Sequence, residues 1–288
     1  MDIGDLSILK AVAETGSFSG AARQLNYAQS HISTQIMHLE NEIGAPLFFR
    51  HNRGITLTDQ GEVFLNYANE LSRVMSEARR AVTLRNEPAG TLRIASMQTT
   101  AQILLPEMLS RFHKEHPKVR LEISTGLSVN NARAVMNDNA DFGFIAGEVK
   151  HKDLSRIPVT KEHLVLLSSD KAFDIRSADN LAEQTLLVFP QGCAYRERLE
   201  AWMKVSRALI QDEIIFDSLP AILAAVCSGL GVTLLPEESA KQLLKSRYLY
   251  KYELPEEYSV LSLSVVYRKE RYLSPADKAF IDACCQVS

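Results

Sequence analysis

Three short segments at the start of the chain carry their apolar residues at helical spacing. Residues 3–13 put Ile3, Leu6, Leu9 and Ala13 on one side, and Gly16 suits the left-handed residue that ends a helix. Ser19 to Leu25 makes a second helix, with Ser17 or Ser19 as its cap. After a tight break at Asn26-Tyr27, Gln29 to Glu42 makes a third, closed by Gly44. Its Ile32, Ile36, Leu39 and Ile43 are spaced four, three and four apart, which is one buried stripe. Gln29, Ser30, Ser33, Thr34, Gln35 and His38 are left near the opposite face. Such side chains donate and accept hydrogen bonds at base edges and phosphates. The pattern predicts a helix-turn-helix whose second helix enters a major groove.

Pro46 to Leu57 then gives two β-prone pieces around a polar turn containing Gly54, a hairpin pattern. Beside a helix-turn-helix such a hairpin is a wing, and Arg50 and Arg53 at its tip could reach a phosphate or a minor groove. A solvated basic turn is the plain alternative. Thr58 is placed to cap a long helix over 59–85. Phe64, Tyr67, Leu71, Val74, Ala78 and Ala81 alternate by threes and fours along it, a coiled-coil seam. At about 1.5 Å per residue the rod is on the order of 40 Å long, too long to bury its stripe on a small domain alone. Pairing with a second copy is expected, while packing on its own winged segment could hold for the first turns. Asn86 to Gly90, with Pro88, breaks the helix and forms the linker.

From Thr91 the pattern changes to alternating strands and helices. Strands are expected at 92–96, 119–123, 142–146, 164–167, 186–189, 213–216, 232–235 and 259–267. Helices are expected at 103–114, 129–138, 195–208, 219–227 and 275–285. This alternation argues for parallel α/β sheets, and about 200 residues suit two lobes better than one.

Composition changes the picture in one respect. The 288 residues, 46% hydrophobic and 23% charged, fit a multidomain globular protein, and no apolar run suits a membrane span. The start of the chain lacks the basic and apolar pattern of a signal peptide, so a cytoplasmic location is expected. Net charge is −3, however, and residues 1–58 hold four basic against five acidic side chains. DNA binding must therefore rest on local placement of charge and on several heads acting together. Cys193, Cys227, Cys284 and Cys285 have no metal-ligand spacing, which favours ordinary thiols over a redox pair of Cys193 with Cys227. No nucleophile elbow, phosphate loop, dinucleotide fingerprint or metal set is present, so no catalytic residue, metal or cofactor is assigned.

The chain resembles the LysR-type transcriptional regulators over essentially its whole length. The resemblance is carried by Phe18 to Leu25, Gln29-Ser30, Ile32-Ser33, Gln35-Ile36 and Leu39-Glu40, then Gly44 to Arg50 and Leu57-Thr58 with Gly61. Weaker matches follow at Gly90 to Ile94, Leu105-Pro106, the Asp141 strand and Gly229 to Pro236. It implies a winged DNA-binding domain (1–58), a dimerising linker helix (59–86) and an effector domain of the periplasmic-binding-protein type (91–288). Lobe one would be about 91–160 with 268–288, and lobe two about 161–267. A dimer or dimer of dimers on promoter DNA is implied, answering to a small molecule, with RNA polymerase a candidate partner. Departures from the family are Ala28 at the cap of the third helix, Thr34 where Arg is frequent, and His31 where a small residue is common. His31 and Thr34 are base-facing or near-base positions, so the operator does not carry over from relatives.

A two-lobed α/β unit binds small molecules at the carboxyl ends of its strands. Ser96, Gln98, Thr99 and Thr100 follow the first strand just before a helix and offer hydroxyls and backbone N–H groups to an anion, or serve as an ordinary cap. Gly126-Leu127-Ser128 is similar to the second polar edge of the family pocket. From the other lobe come Cys193 and Arg196, the guanidinium being the best single anchor for a carboxylate or else a surface ion pair. A small organic anion is the expected effector. The rival readings are a solute-binding protein and an α/β enzyme.

Overall fold

Asp2 and Asp5 close a reciprocal capping box that starts helix α1 (Ile3–Thr15). In the computed structural model, residues 2–51, 54–83, 87–149, 151–171, 184–205 and 212–287 are described. They fall into two units, Met1–Arg85 and Asn86–Ser288.

In the first unit, Gly16 (φ 62°) turns the chain out of α1, and the Ser17 hydroxyl accepts the Gly20 N–H to start α2 (Phe18–Leu25). Asn26 (φ 56°) ends α2 and α3 (Gln29–Ile43) follows, with Ile32, Ile36 and Leu39 fully buried against Leu9, Val12 and Ala21. The hairpin of β1 (Phe48–His51) and β2 (Gly54–Leu57) is antiparallel, and its Ile55 N–H donates to the Gly16 carbonyl at 2.9 Å. Arg53 and the side chains of Ile3 and Ala81 lie outside the described residues.

Two polar side chains lock this arrangement. One oxygen of Glu40 on α3 accepts the N–H groups of Leu47 (2.8 Å) and Phe48 (3.2 Å). Thr58 donates to the Pro46 carbonyl at 2.7 Å and accepts the Gly61 N–H at 2.9 Å, capping α4 (Asp59–Thr83). Gly61 packs so closely on Leu47 that an added Cβ would overlap the Leu47 carbonyl. Among the described residues, α4 packs on this core through its early turns, by Phe64, Leu65 and the buried Ala68. Further along, Tyr67, Leu71 and Val74 are 62%, 46% and 46% exposed.

The second unit begins with β3 (Gly90–Ser96), α5 (Gln98–Ile103), α6 (Leu105–Glu115), β4 (Val119–Thr125), α7 (Ser128–Met136) and β5 (Phe142–Ala146). A long strand β6 (Leu154–Ser168) leads to β7 (Thr185–Val188), α8 (Ala194–Val205), β8 (Asp212–Ile215), α9 (Leu219–Cys227) and β9 (Thr233–Pro236). A short 3₁₀ turn precedes α10 (Lys241–Lys245), β10 (Tyr250–Glu253), α11 (Glu256–Ser259), β11 (Val260–Arg268) and α12 (Pro275–Cys285).

The sheets are not purely parallel. β3 pairs in parallel with β4 and β5, and β7 with β8, but β6 and β11 run antiparallel over their whole overlap. β5 adds antiparallel to β11, while β9 and β10 add antiparallel to β6. The reason is that β6 takes the chain from the first lobe to the second and β11 brings it back. Two strands that cross the same gap in opposite senses must be antiparallel. The expected helix at 103–114 is α6, and the short α5 before it takes in Gln98, Thr99 and Thr100, which were expected just ahead of a helix. Among the described residues, no helix is long and apolar enough to cross a membrane.

Gly61→Ala should lower the stability of the N-terminal unit by about 2 kcal/mol or more, because backbone and not a flexible side chain blocks the new methyl. Chemical denaturation followed by circular dichroism would measure it; a variant as stable as the parent would contradict the close approach.

Candidate DNA-reading face and ligand cavity

Helix α3 presents Gln29, Ser30, His31, Thr34 and His38 as exposed side chains, with Ser33 and Gln35 half-buried beside them. The same turns bury Ile32, Ile36 and Leu39, so the polar face is fixed by the packing of the opposite one. Ala28 occupies the cap position without a side-chain hydrogen bond, so no cap side chain answers the first N–H groups of α3. Tyr27, in the turn, packs on the His31 ring with centroids 4.9 Å apart and so restricts it. Tyr27 was not among the sequence candidates; an exposed aromatic at a helix-turn-helix break was the available signal.

On the wing, Arg50 is exposed, with its guanidinium 5.0 Å above the Phe18 ring and 3.7 Å from Glu40. It is thereby held beside the start of α2 as a point charge that a phosphate can share.

In the second unit, a cavity of about 310 Å³ opens between the lobes. That is the small end of the range for small-molecule sites, about 300–1,000 Å³. From the first lobe it is lined by Met97, Gln98, Thr99, Asn130 and the segment Thr125 to Ser128. The second lobe supplies Phe189, Pro190, Cys193, Ala194, Tyr195 and Asp217. The starts of α5, α7 and α8 all meet here. None of the described lining residues is Lys, Arg or His.

Gln98 spends its amide on the opposite lobe: Nε2 donates to the Asp217 carbonyl at 2.7 Å, and Oε1 accepts the Leu219 N–H at 2.8 Å. Thr99 Oγ1 lies 2.7 Å from the Tyr195 hydroxyl, which donates to Glu162 Oε2 at 2.9 Å. The Ser128 hydroxyl accepts the Ala146 N–H at 3.0 Å and lies 3.2 Å from the Met97 sulfur. Cys193 lines the cavity as a thiol whose pKa burial pushes up, and burial does the same to the Cys227 thiol. All four cysteines are free.

Three expected ligand residues do not line the cavity. Arg196 is turned into the protein, where Nε donates to Glu200 at 2.6 Å and Nη2 grips both oxygens of Glu213 at 2.8 and 3.1 Å. Its Nη1 reaches the Phe189 carbonyl at 3.3 Å. The charge is thus already answered, and Arg196 ties α8 to β8 instead of anchoring a carboxylate. Ser96 is fully buried and its hydroxyl donates to the Met97 carbonyl at 3.2 Å. Thr100 is buried in α5, its hydroxyl without a partner among the described residues.

Tyr195, Glu162 and Asp217 were missed as candidates. Tyr195 stood beside Arg196 in a segment already singled out. Nothing local marks Glu162, whose contact with Tyr195 spans 33 residues. Burial raises the Glu162 carboxyl to about 7, against the smaller lowering effect of the Tyr195 hydrogen bond.

Two outcomes are expected. Arg196→Met should destabilise the second unit by about 2 kcal/mol by stranding Glu200 and Glu213, both of which keep partial access to water; urea denaturation checks it. Because Glu162 binds its proton more tightly folded than unfolded, it weakens the fold as pH rises from 4.5 to about 7. The melting temperature of Glu162→Gln should therefore gain on the parent across that interval and hold its gain above it.

Comparison with known proteins agrees with both halves. Residues 3–62 match the bacterial regulatory helix-turn-helix protein, lysR family, and residues 85–287 match the LysR substrate binding domain. The HTH-type transcriptional regulator CzcR of Bacillus thuringiensis subsp. konkukian (strain 97-27) is 37% identical over 98% of this chain and 96% of its own. The HTH-type transcriptional regulator GltR of Bacillus subtilis (strain 168) is 36% identical over 98% and 95%. Full-length CbnR, solved in complex with its target DNA, shares the fold at a TM-score of 0.73, with 21% identity and all of both chains covered. Two family models that between them match residues 3–62 and 85–287, with relatives 36–37% identical over nearly the whole length, carry the assignment: the chain belongs to the LysR family of transcriptional regulators.

Proposed function

We propose that residues 1–58 read promoter DNA, residues 59–86 pair two copies, and residues 91–288 bind the effector. Gln29, Ser30, His31, Ser33, Thr34, Gln35 and His38 are the candidate base and phosphate contacts, with Arg50 and Arg53 on the backbone. The observation that carries this reading is the exposed polar face of α3 opposite a fully buried apolar stripe. Pairing through α4 is supported by the exposed run of Tyr67, Leu71 and Val74. It also answers the low positive charge of a single head, since two linked heads multiply their effective concentration.

The effector is a small organic anion, held at Gln98, Thr99, Ser128 and Cys193 by hydroxyls and by the N–H groups at the starts of α7 and α8. Closure of the lobes on it changes DNA occupancy through unequal affinity for the two arrangements. RNA polymerase is the further partner and the cytoplasm the site of action. The chain has no catalytic role in this reading. A solute-binding protein is disfavoured because a helix-turn-helix family match occupies residues 3–62.

Footprinting on the upstream intergenic DNA tests the proposal, and a specific protected region is expected. Thr34→Ala or Gln29→Ala should cost about 1–3 kcal/mol on specific sites. Arg50→Ala should weaken all sequences alike and lower the salt slope by about one per head. No protection in any effector condition would sink the reading.

A further inference from the structure

Three hydrogen-bonding groups from three elements form a chain that ends in the cavity: Thr99 on α5, Tyr195 on α8 and Glu162 on β6. A phenol has one proton to give, and an ionised carboxylate can only accept. With Glu162 ionised, the Tyr195 proton is spent on it, and Tyr195 shows only lone pairs to Thr99 and the cavity. With Glu162 protonated, the acid donates to the Tyr195 oxygen, and the Tyr195 proton is released toward the cavity. Tyr195 and Thr99 are 4% and 1% exposed, so water does not substitute freely for either partner.

We propose that Glu162 is the positioning residue that sets Tyr195 as donor or acceptor, so that the cavity takes a ligand bearing a carboxylate or carbonyl oxygen together with one proton. This rests on the cavity being the effector site. It also supplies what the cavity otherwise lacks, since no cationic side chain is among its described lining. The proton on Glu162 removes a half-buried negative charge just as the ligand brings one.

Other titratable and charged groups stand around Glu162 and Tyr195, Cys193 beside Tyr195 among them. β11 places Leu261 opposite Glu162. From α11 come Glu256, Glu257 and Tyr258, and Arg198 of α8 is held on the Glu257 carbonyl at 2.8 Å. On its own strand, Lys161 and His163 alternate to the other face, where His163 pairs with Glu253 at 2.7 Å. Lys251 also contacts Glu253 there, at 3.2 Å. The position of Glu162's midpoint, about 7, follows from burial.

Below that midpoint the free protein already holds the proton. Above it each ligand must bring one, so affinity should fall roughly tenfold per pH unit.

The test uses full-length protein carrying carboxyl-¹³C glutamate, with Glu162→Gln to assign the signal. A midpoint near 7 is expected, moving higher in Tyr195→Phe, which loses the hydrogen bond that lowers it. A midpoint near 4.5 would overturn the inference. Acetate and benzoate, with acetamide and benzamide as uncharged counterparts, are then titrated on either side of the midpoint. The carboxylates should bind on the acid side and weaken above it. Glu162→Gln, whose amide is a permanent donor to Tyr195, should bind them with no pH dependence. Flat binding by the parent protein, or failure of all four probes on the acid side, would also overturn it. Promoter protection is measured in the same buffers. Protection with a flat cavity removes the proton coupling alone, and loss of protection with proton-linked binding removes the regulator reading alone.

Discussion

The C-terminal unit depends on a two-strand ribbon. β6 and β11 pair from Val260 with His163 to Arg268 with Leu154, and the register slips once, between Leu263 and Ser264. Opposite that slip the partners jump from Thr160 to Pro158. Proline has no N–H for the ladder, so this is where a sheet is least costly to bend. The first lobe hangs on the ribbon through β5, and the second through β9 and β10. Any relative movement of the lobes is therefore movement about two strands, and it would have to break the ties across the cleft at Gln98 and at Thr99 with Tyr195.

The N-terminal unit solves a different problem with the same means. Its helix α3 must be held in place although one whole face is given up to polar side chains. Glu40 and Thr58 grip the Pro46–Leu47 peptide group from its two ends, the N–H and the carbonyl, and Gly61 allows α4 to lie against Leu47. Rigidity thus comes from backbone groups satisfied by buried polar atoms, and the outward face of α3 is free to carry sequence preference.

What could be read from the sequence follows from how local the cause was. The stripe of Ile32, Ile36 and Leu39, with glycines and serines at the helix ends, states its own structure. Leu164 to Leu167 were legible as a strand because all are fully buried. The first ten residues of the same strand were not, since Leu154 to His163 are mostly polar and include Pro158, and only the partner β11 makes them a strand. β10 was missed for the same reason. Gln98, Thr99, Ser128 and Cys193 were legible as cleft residues because strand ends and helix starts converge there. Of the two readings of Arg196, the ion pair is the one found: Glu200 lies four residues along the same helix, while Glu213 belongs to a strand that only the fold brings alongside. Glu162 left no local trace, because its role is fixed by Tyr195, 33 residues away.

Gln98 joins the lobes with a neutral amide bonded to backbone groups at both of its ends. Contacts to DNA phosphates weaken steeply as salt rises, whereas a bond between neutral dipoles in a sheltered cleft hardly responds. One polypeptide therefore has an ion-sensitive end and an ion-indifferent end. A rise in salt would thus loosen contacts to phosphate while leaving the Gln98 tie between the lobes nearly unchanged.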